Sequence, residues 1–194
     1  MDWITIKIRL SLLILGLKRN NLNNPILWSK FMKFISKKYI KLPKRKKDSK
    51  KGDNGRVLVI GGSKDYIGAV ALAGLAALRS GCDWVTIAAP EKVAWAINAI
   101  SPDLVTIKLK GDYFSLKHYS EIAKLAKKHD IVLLGNGLGL RKETKSFVKK
   151  IIKKINNPKV IDADGIKSLS LGDLENSIIT PHIKELEILC HLHL

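Results

Sequence analysis

The chain has 194 residues, is 46% hydrophobic and carries a formal net charge of +18, a length sufficient for one well-buried core and too short for two full domains. Its two cysteines, Cys82 and Cys190, lie far apart without metal-type spacing, which excludes a secreted disulfide scaffold and points to a reducing, cytoplasmic setting. The charge is uneven: residues 1–51 hold 15 of the 35 Lys and Arg but only 2 of the 17 Asp and Glu, so the rest of the chain is only mildly basic.

Residues 4–17 are mostly apolar, but Lys7 and Arg9 interrupt them, and the stretch falls short of the ~20 apolar residues of a membrane span. Lys18, Arg19 and an Asn-rich run follow where an export signal would carry small residues for cleavage. Residues 31–42 place apolar and Lys positions at helical spacing and read as a solvated helix. The run 44–51, KRKKDSKK, is the one strong basic cluster. It suits RNA, phosphate or acidic lipid, yet no aromatic is interleaved to stack on bases, so it reads as a linker. These features divide the chain into a basic, partly apolar leader and linker, 1–51, and one folded domain, 52–194.

From Gly55 the pattern changes to short β-branched runs, each followed by a turn and a helix-period segment. Strands are predicted at 57–60, 84–88, 104–109, 131–134, 159–161 and 177–179. Helices are predicted at 68–79, 91–100, 115–128 and 141–155, with another starting at Ile183. Strands such as VLVI and IVLL are continuously apolar, as they are when helices cover both faces of a parallel sheet. The fold class is therefore α/β, a three-layer α/β/α sandwich. In 115–128, Leu116, Tyr119, Ile122, Ala123 and Ala126 form one stripe while Lys117, Lys124 and Lys128 face water.

In such sheets ligands bind beyond the carboxyl ends of the strands. The first of these ends carries Gly61, Gly62 and Ser63, then a helix with the small residues Ala69, Ala71, Ala73 and Gly74. Glycines there allow close backbone approach, and small helix residues allow close packing. The spacing is not G-x-G-x-x-G, and the second strand runs into Ala88-Ala89-Pro90 without a ribose-binding acid, which counts against a Rossmann dinucleotide site.

The fourth strand ends in Gly135-Asn136-Gly137-Leu138-Gly139, a loop of backbone donors before a helix N-terminus that suits a phosphate or ring edge. The fifth ends in Asp162-Ala163-Asp164-Gly165. Its two carboxylates suit a magnesium ion or an ordered water, or, for Asp164, the cap of the next helix. Asp162, at the end of an apolar strand, needs a donor or a cation. The sixth ends in Thr180-Pro181-His182, with Glu185 three residues on as a helix-start cap. His182 is expected to contact ligand from this rim. Cys190, His191 and His193 lack zinc-site spacing.

In this order the segments LPKRKKDSKKGDNGRVLVIGGS, YIGA, LRSGC, SPD, GNGLG, VIDADGI and ITPHIKELEIL resemble the ADP/ATP-dependent NAD(P)H-hydrate dehydratase family, which has a ribokinase-like fold. The resemblance covers about 140 residues, with its separate motifs in the same order. It implies a repair enzyme that uses ADP or ATP, with magnesium, to dehydrate hydrated NADH or NADPH. In that chemistry the ring hydroxyl is phosphorylated and the phosphate then leaves. The resemblance further implies that Ala69, Gly137, Gly139 and His182 contact the hydrated dinucleotide, and that Gly62, Ser63, Asn136, Asp162, Asp164 and Glu185 line the cleft. The family's G-[ST]-G-D segment, which supplies the anion hole and the base, is not found before Leu194. The expectation is therefore an incomplete domain, inactive alone, that forms homo-oligomers or takes up a missing half. Two alternatives compete: another ribokinase-like small-molecule kinase, and a basic adaptor for RNA or membrane acting through residues 1–51.

Overall fold

The computed structural model describes residues 44–190. The segments 4–17 and 31–42, together with His191 and His193, lie outside the described residues. The chain separates into two units, Met1–Lys46 and Lys47–Leu194, and all that follows concerns the second.

Six strands form one sheet: β1 (Arg56–Ile60), β2 (Trp84–Pro90), β3 (Val105–Leu109), β4 (Ile131–Leu134), β5 (Lys159–Ile161) and β6 (Ser177–Ile179). Every pairing is parallel, in the order β3-β2-β1-β4-β5-β6. Parallel neighbours need crossovers, and these are provided by α1 (Gly68–Arg79), α2 (Glu91–Ile100), α3 (Tyr119–Ala126) and α4 (Lys142–Ile152), with α5 (Ile183–Cys190) after β6.

The central strand explains the apolar run read in the sequence. Leu58, Val59 and Ile60 are fully buried. Leu58 and Ile60 pack on one face with Ile122 and Ala126 of α3 and Phe147, Val148 and Ile151 of α4. Val59 packs on the other face with Val70 and Ala71 of α1 and Val93, Ala94 and Ile97 of α2. With each such side chain worth roughly 1.5–3 kcal/mol when fully buried, both faces must be covered. Gly74 lets α1 press on the sheet, since a methyl there would stand 2.7 Å from Ile87 Cδ1. Ala71 shares that packing, whereas Ala69 is exposed in the first turn of α1.

One helix differs from its prediction. Residues 115–128 split into a 3₁₀ turn, Leu116–His118, and α3. The cause is a capping box: the Ser115 N–H donates to His118 Nδ1, while His118 Nε2 meets the Lys110 carbonyl at 3.0 Å. His118 is thus turned inward beside the fully buried Phe114, and Leu116 is turned out to solvent instead of joining the apolar stripe.

At the sheet's opposite rim, the Gly52 and Asn54 amides and the Asn54 side chain all donate to Asp83 Oδ2. Lys51 Nζ stands 4.4 Å from the Trp84 ring centroid, so the fold supplies the basic run with an aromatic neighbour that is not adjacent to it in sequence. No helix among the described residues is long and apolar enough to cross a membrane.

Candidate functional site

Because all six strands run the same way, their carboxyl ends and the loops that follow share one rim. The sequence of placement reverses between β1 and β4: the chain steps outward from β1 to β2 and β3, then returns to the other side of β1 with β4. The crossovers leaving β1 and β4 head to opposite sides there, and such a switch point is the usual place for a ligand crevice in these sheets.

The two glycine loops meet at this crevice. The Gly62 amide donates to the Asn136 carbonyl at 2.8 Å, and a methyl on Gly61 would collide with that same carbonyl. Gly61 donates to Ala88 and Ser63 to Tyr66. The first loop therefore spends its amides internally and offers no pyrophosphate cradle, which gives a geometric reason against a Rossmann site. Gly62 and Ser63 are both buried at this junction.

The second loop is differently employed. Leu138 donates to the Gly135 carbonyl, and Gly139 donates to Asp164 Oδ2 at 2.9 Å. Among the described residues the amides of Asn136 and Gly137 have no internal acceptor. Gly137 sits at φ +68° with Tyr66 Cβ only 2.9 Å from where its own Cβ would be, so glycine is required by conformation and space together. Gly135, at φ +137°, faces the Asp162 carbonyl so closely that no side chain fits.

Asp162 ties three strand ends together. Its Oδ2 accepts from Asn136 Nδ2 at 2.9 Å, and its Oδ1 accepts from Thr180 Oγ1 at 2.5 Å. The donors expected for a carboxylate at an apolar strand end are thus the neighbouring loops. Asp164 does not cap the following helix: it lies inside the 3₁₀ segment Ala163–Ser168, whose N-cap position is Asp162. Its side chain instead receives Gly139 N–H and, at 3.1 Å, Lys167 Nζ.

Lys167 went unnoticed in the sequence, although its spacing three residues after Asp164 was a usable signal. Its ammonium also stands 3.3 Å from Glu185 Oε1. Burial pulls its pKa down, but hydrogen bonds and charge from Asp164 and Glu185 outweigh this and the net shift is upward. Glu185 is itself buried. It accepts the His182 N–H at 3.1 Å, while Glu185 N–H donates to His182 Nδ1 at 3.4 Å. The helix-start cap read from the sequence is therefore reciprocal. Accepting at Nδ1 leaves the proton on His182 Nε2, 3.3 Å from Glu185 Oε1. The ring is held from behind and 59% of the side chain is exposed.

A relay of polar contacts thus runs from Asn136 through Asp162 to Thr180, and from Gly139 through Asp164, Lys167 and Glu185 to His182. With strands ≈ 4.8 Å apart, the β4 and β6 loops stand roughly 10 Å from each other across β5, within the span of one dinucleotide. Among the described residues no cluster of three His, Cys, Asp or Glu is placed to hold a metal. Both oxygens of Asp162 and of Asp164 already accept hydrogen bonds, so the protein itself supplies the donors that these carboxylates need.

Comparison with known proteins agrees with this architecture. The profile of the NAD(P)H-hydrate dehydratase family matches residues 57–194. The chain is 45% identical over 148 residues to a bifunctional NAD(P)H-hydrate repair enzyme of Pyrobaculum aerophilum, covering 75% of this chain and 30% of that one. A ribokinase-like superfamily protein of Enterococcus faecalis superposes with a TM-score of 0.67 at 26% identity, over 77% of this chain and 53% of that one. The ADP/ATP-dependent NAD(P)H-hydrate dehydratase of Bacillus subtilis, co-crystallised with ATP/Mg2+, gives 0.60 at 25% identity, over 76% and 51%. The chain thus spans about a third to a half of the length of these relatives.

Proposed function

The chain belongs to the NAD(P)H-hydrate dehydratase family, and on that premise we propose that its crevice binds hydrated NADH or NADPH for ADP- or ATP-dependent dehydration. In this reading the terminal phosphoryl group of the nucleotide is transferred to the ring hydroxyl. An O–P bond forms and the nucleotide's own phosphoanhydride bond breaks. The C–O bond then breaks, phosphate departs, a proton is lost from the ring, and the dihydronicotinamide double bond is restored. Phosphorylation turns a poor leaving group into a good one.

The chain's own residues supply binding and positioning. The Asn136 and Gly137 amides take a polar edge of the dinucleotide. Gly139 and the exposed Ala69 border it without obstructing side chains. His182, steadied by Glu185, contacts the ligand from the β6 side. Magnesium belongs with the nucleotide phosphates, as it does when carboxylates supply few of its ligands. The setting proposed is cytoplasmic. The exposed Ile178 on edge strand β6 and Ile188 on α5 further suit self-association, since unpaired edges template pairing.

The observation that carries the reading is the Asp162 tie between the loop bearing Gly137 and the segment bearing His182. Equilibrium binding of hydrated NADH and NADPH tests it. Wild type binds at least one hydrate and His182→Ala binds it about tenfold more weakly, the loss expected for one good polar contact. A wild-type chain that binds neither hydrate overturns it.

A further inference from the structure

Three loops, those after β1, β3 and β4, meet around Tyr113. The Tyr113 hydroxyl donates to Asp65 Oδ2 at 2.9 Å, which joins the loop after β3 to the loop after β1. The Lys64 amide reinforces that joint by donating to the Asp112 carbonyl at 3.0 Å. On the other side of Tyr113 lies Arg141, its Cζ 4.2 Å from the ring centroid. Arg141 is the N-cap residue of α4, two residues beyond Gly139 of the G-N-G-L-G loop.

Arg141 is exposed. Among the described residues no carboxylate forms an ion pair with it. The nearby acids are otherwise engaged: Asp65 accepts from Tyr113, and Asp112 faces Lys92 at 4.0 Å. A guanidinium has two distinct binding surfaces. Its face stacks on an aromatic ring, while its N–H edge forms paired hydrogen bonds with phosphate or carboxylate oxygens. In Arg141 the face is satisfied by Tyr113 and the edge has no acid to bind. Stacking fixes the plane of the fork, so little side-chain entropy remains to be lost when an anion arrives. An exposed arginine tethered this way, at the mouth of a loop with two unspent amides, has the chemistry of a phosphate receptor.

We infer that Arg141, held flat on Tyr113, is a phosphate clamp for the nucleotide ligands of this crevice. The ligand class rests on the function proposed above; the anion chemistry does not. The phosphate has three sources: the diphosphate bridge of the dinucleotide, the 2′-phosphate that distinguishes the NADPH form, and the phosphates of ADP.

The test is binding of four probes to the full chain: inorganic pyrophosphate, hydrated NADH, hydrated NADPH and ADP. Each is titrated into wild type, Arg141→Gln and Arg141→Lys, with side-chain arginine N–H resonances followed alongside. Arg141 is exposed, so both variants are expected to melt like wild type. The clamp predicts that the resonance missing from Arg141→Gln shifts when pyrophosphate is added to wild type. It also predicts that Arg141→Gln weakens at least one nucleotide probe by about tenfold, with Arg141→Lys in between. Equal weakening of both hydrates assigns the diphosphate, selective weakening of the NADPH form assigns the 2′-phosphate, and weakening of ADP alone assigns the co-substrate. A pyrophosphate response with no hydrate binding keeps the clamp and removes the dehydratase reading. Affinities unchanged in Arg141→Gln for all four probes overturn the clamp, even if His182→Ala still loses hydrate binding.

Discussion

Thr180 Oγ1 lies 2.5 Å from Asp162 Oδ1, and this one hydrogen bond joins the ends of neighbouring strands β5 and β6 at the rim where the candidate ligand residues collect. The other oxygen of Asp162 reaches the β4 loop through Asn136. The site's geometry therefore depends on a carboxylate that does not itself need to touch the ligand.

Thr180→Val keeps the shape and removes the hydroxyl. It is expected to cost about 2 kcal/mol, the range for hydrogen bonds to charged groups. Thr180→Ser is expected to recover most of it. Urea denaturation midpoints, compared at equal slope, check both.

Gly135→Ala places a methyl against the Asp162 carbonyl at a φ of +137°. Since backbone blocks it and the conformation is itself unfavourable for an L side chain, the expected loss is about 3 kcal/mol or more. A thermal melt within a degree or two of wild type contradicts this account of the loop.

Lys167 gives a pH prediction whose sign follows from its partners. Burial opposes its charge, but Asp164 and Glu185 hold the ammonium and raise its pKa above the ordinary lysine value. A group with a raised folded-state pKa stabilises fully below its unfolded pKa. That contribution is lost as pH rises through the folded value, which lies above the ordinary lysine range. Lys167→Met is expected to be less stable at neutral pH, because the buried Glu185 loses a partner, and to show a flatter decline at alkaline pH. Chemical denaturation across that range checks both.

Ile178 stands 57% exposed on edge strand β6. If the exposed edge drives self-association, Ile178→Lys shifts the sedimentation profile toward monomer, since a lysine on an edge strand discourages pairing. An unchanged profile removes this edge from the interface.

Much of the fold was legible because its signals are local. Continuous apolar strands at 57–60 and 131–134 meant burial on both faces, and the observed strands coincide within a residue at most ends. The first turn of 115–128 departs from the helical period because periodicity does not register a side chain that bonds nearby backbone, as His118 does with Ser115. At the candidate site, the placement of the glycines and of His182 just after strand ends was readable, because the strands themselves were. The partners of Asp162 and Asp164 were not, because Asn136 and Gly139 are 26 and 25 residues away and only the strand order brings them near. The setting of Arg141 is not legible for the same reason: Tyr113 and Asp65 come from two other loops.

The central claim is that the G-N-G-L-G loop and His182 hold the same molecule. Titration of isotope-labelled full chain with hydrated NADH or NADPH, watching the Asn136 and Gly137 amides and the His182 ring together, tests it most directly. The account predicts that all of these signals move along one binding curve with a single affinity. Movement of the loop signals with His182 unaffected, or two curves with different midpoints, contradicts it.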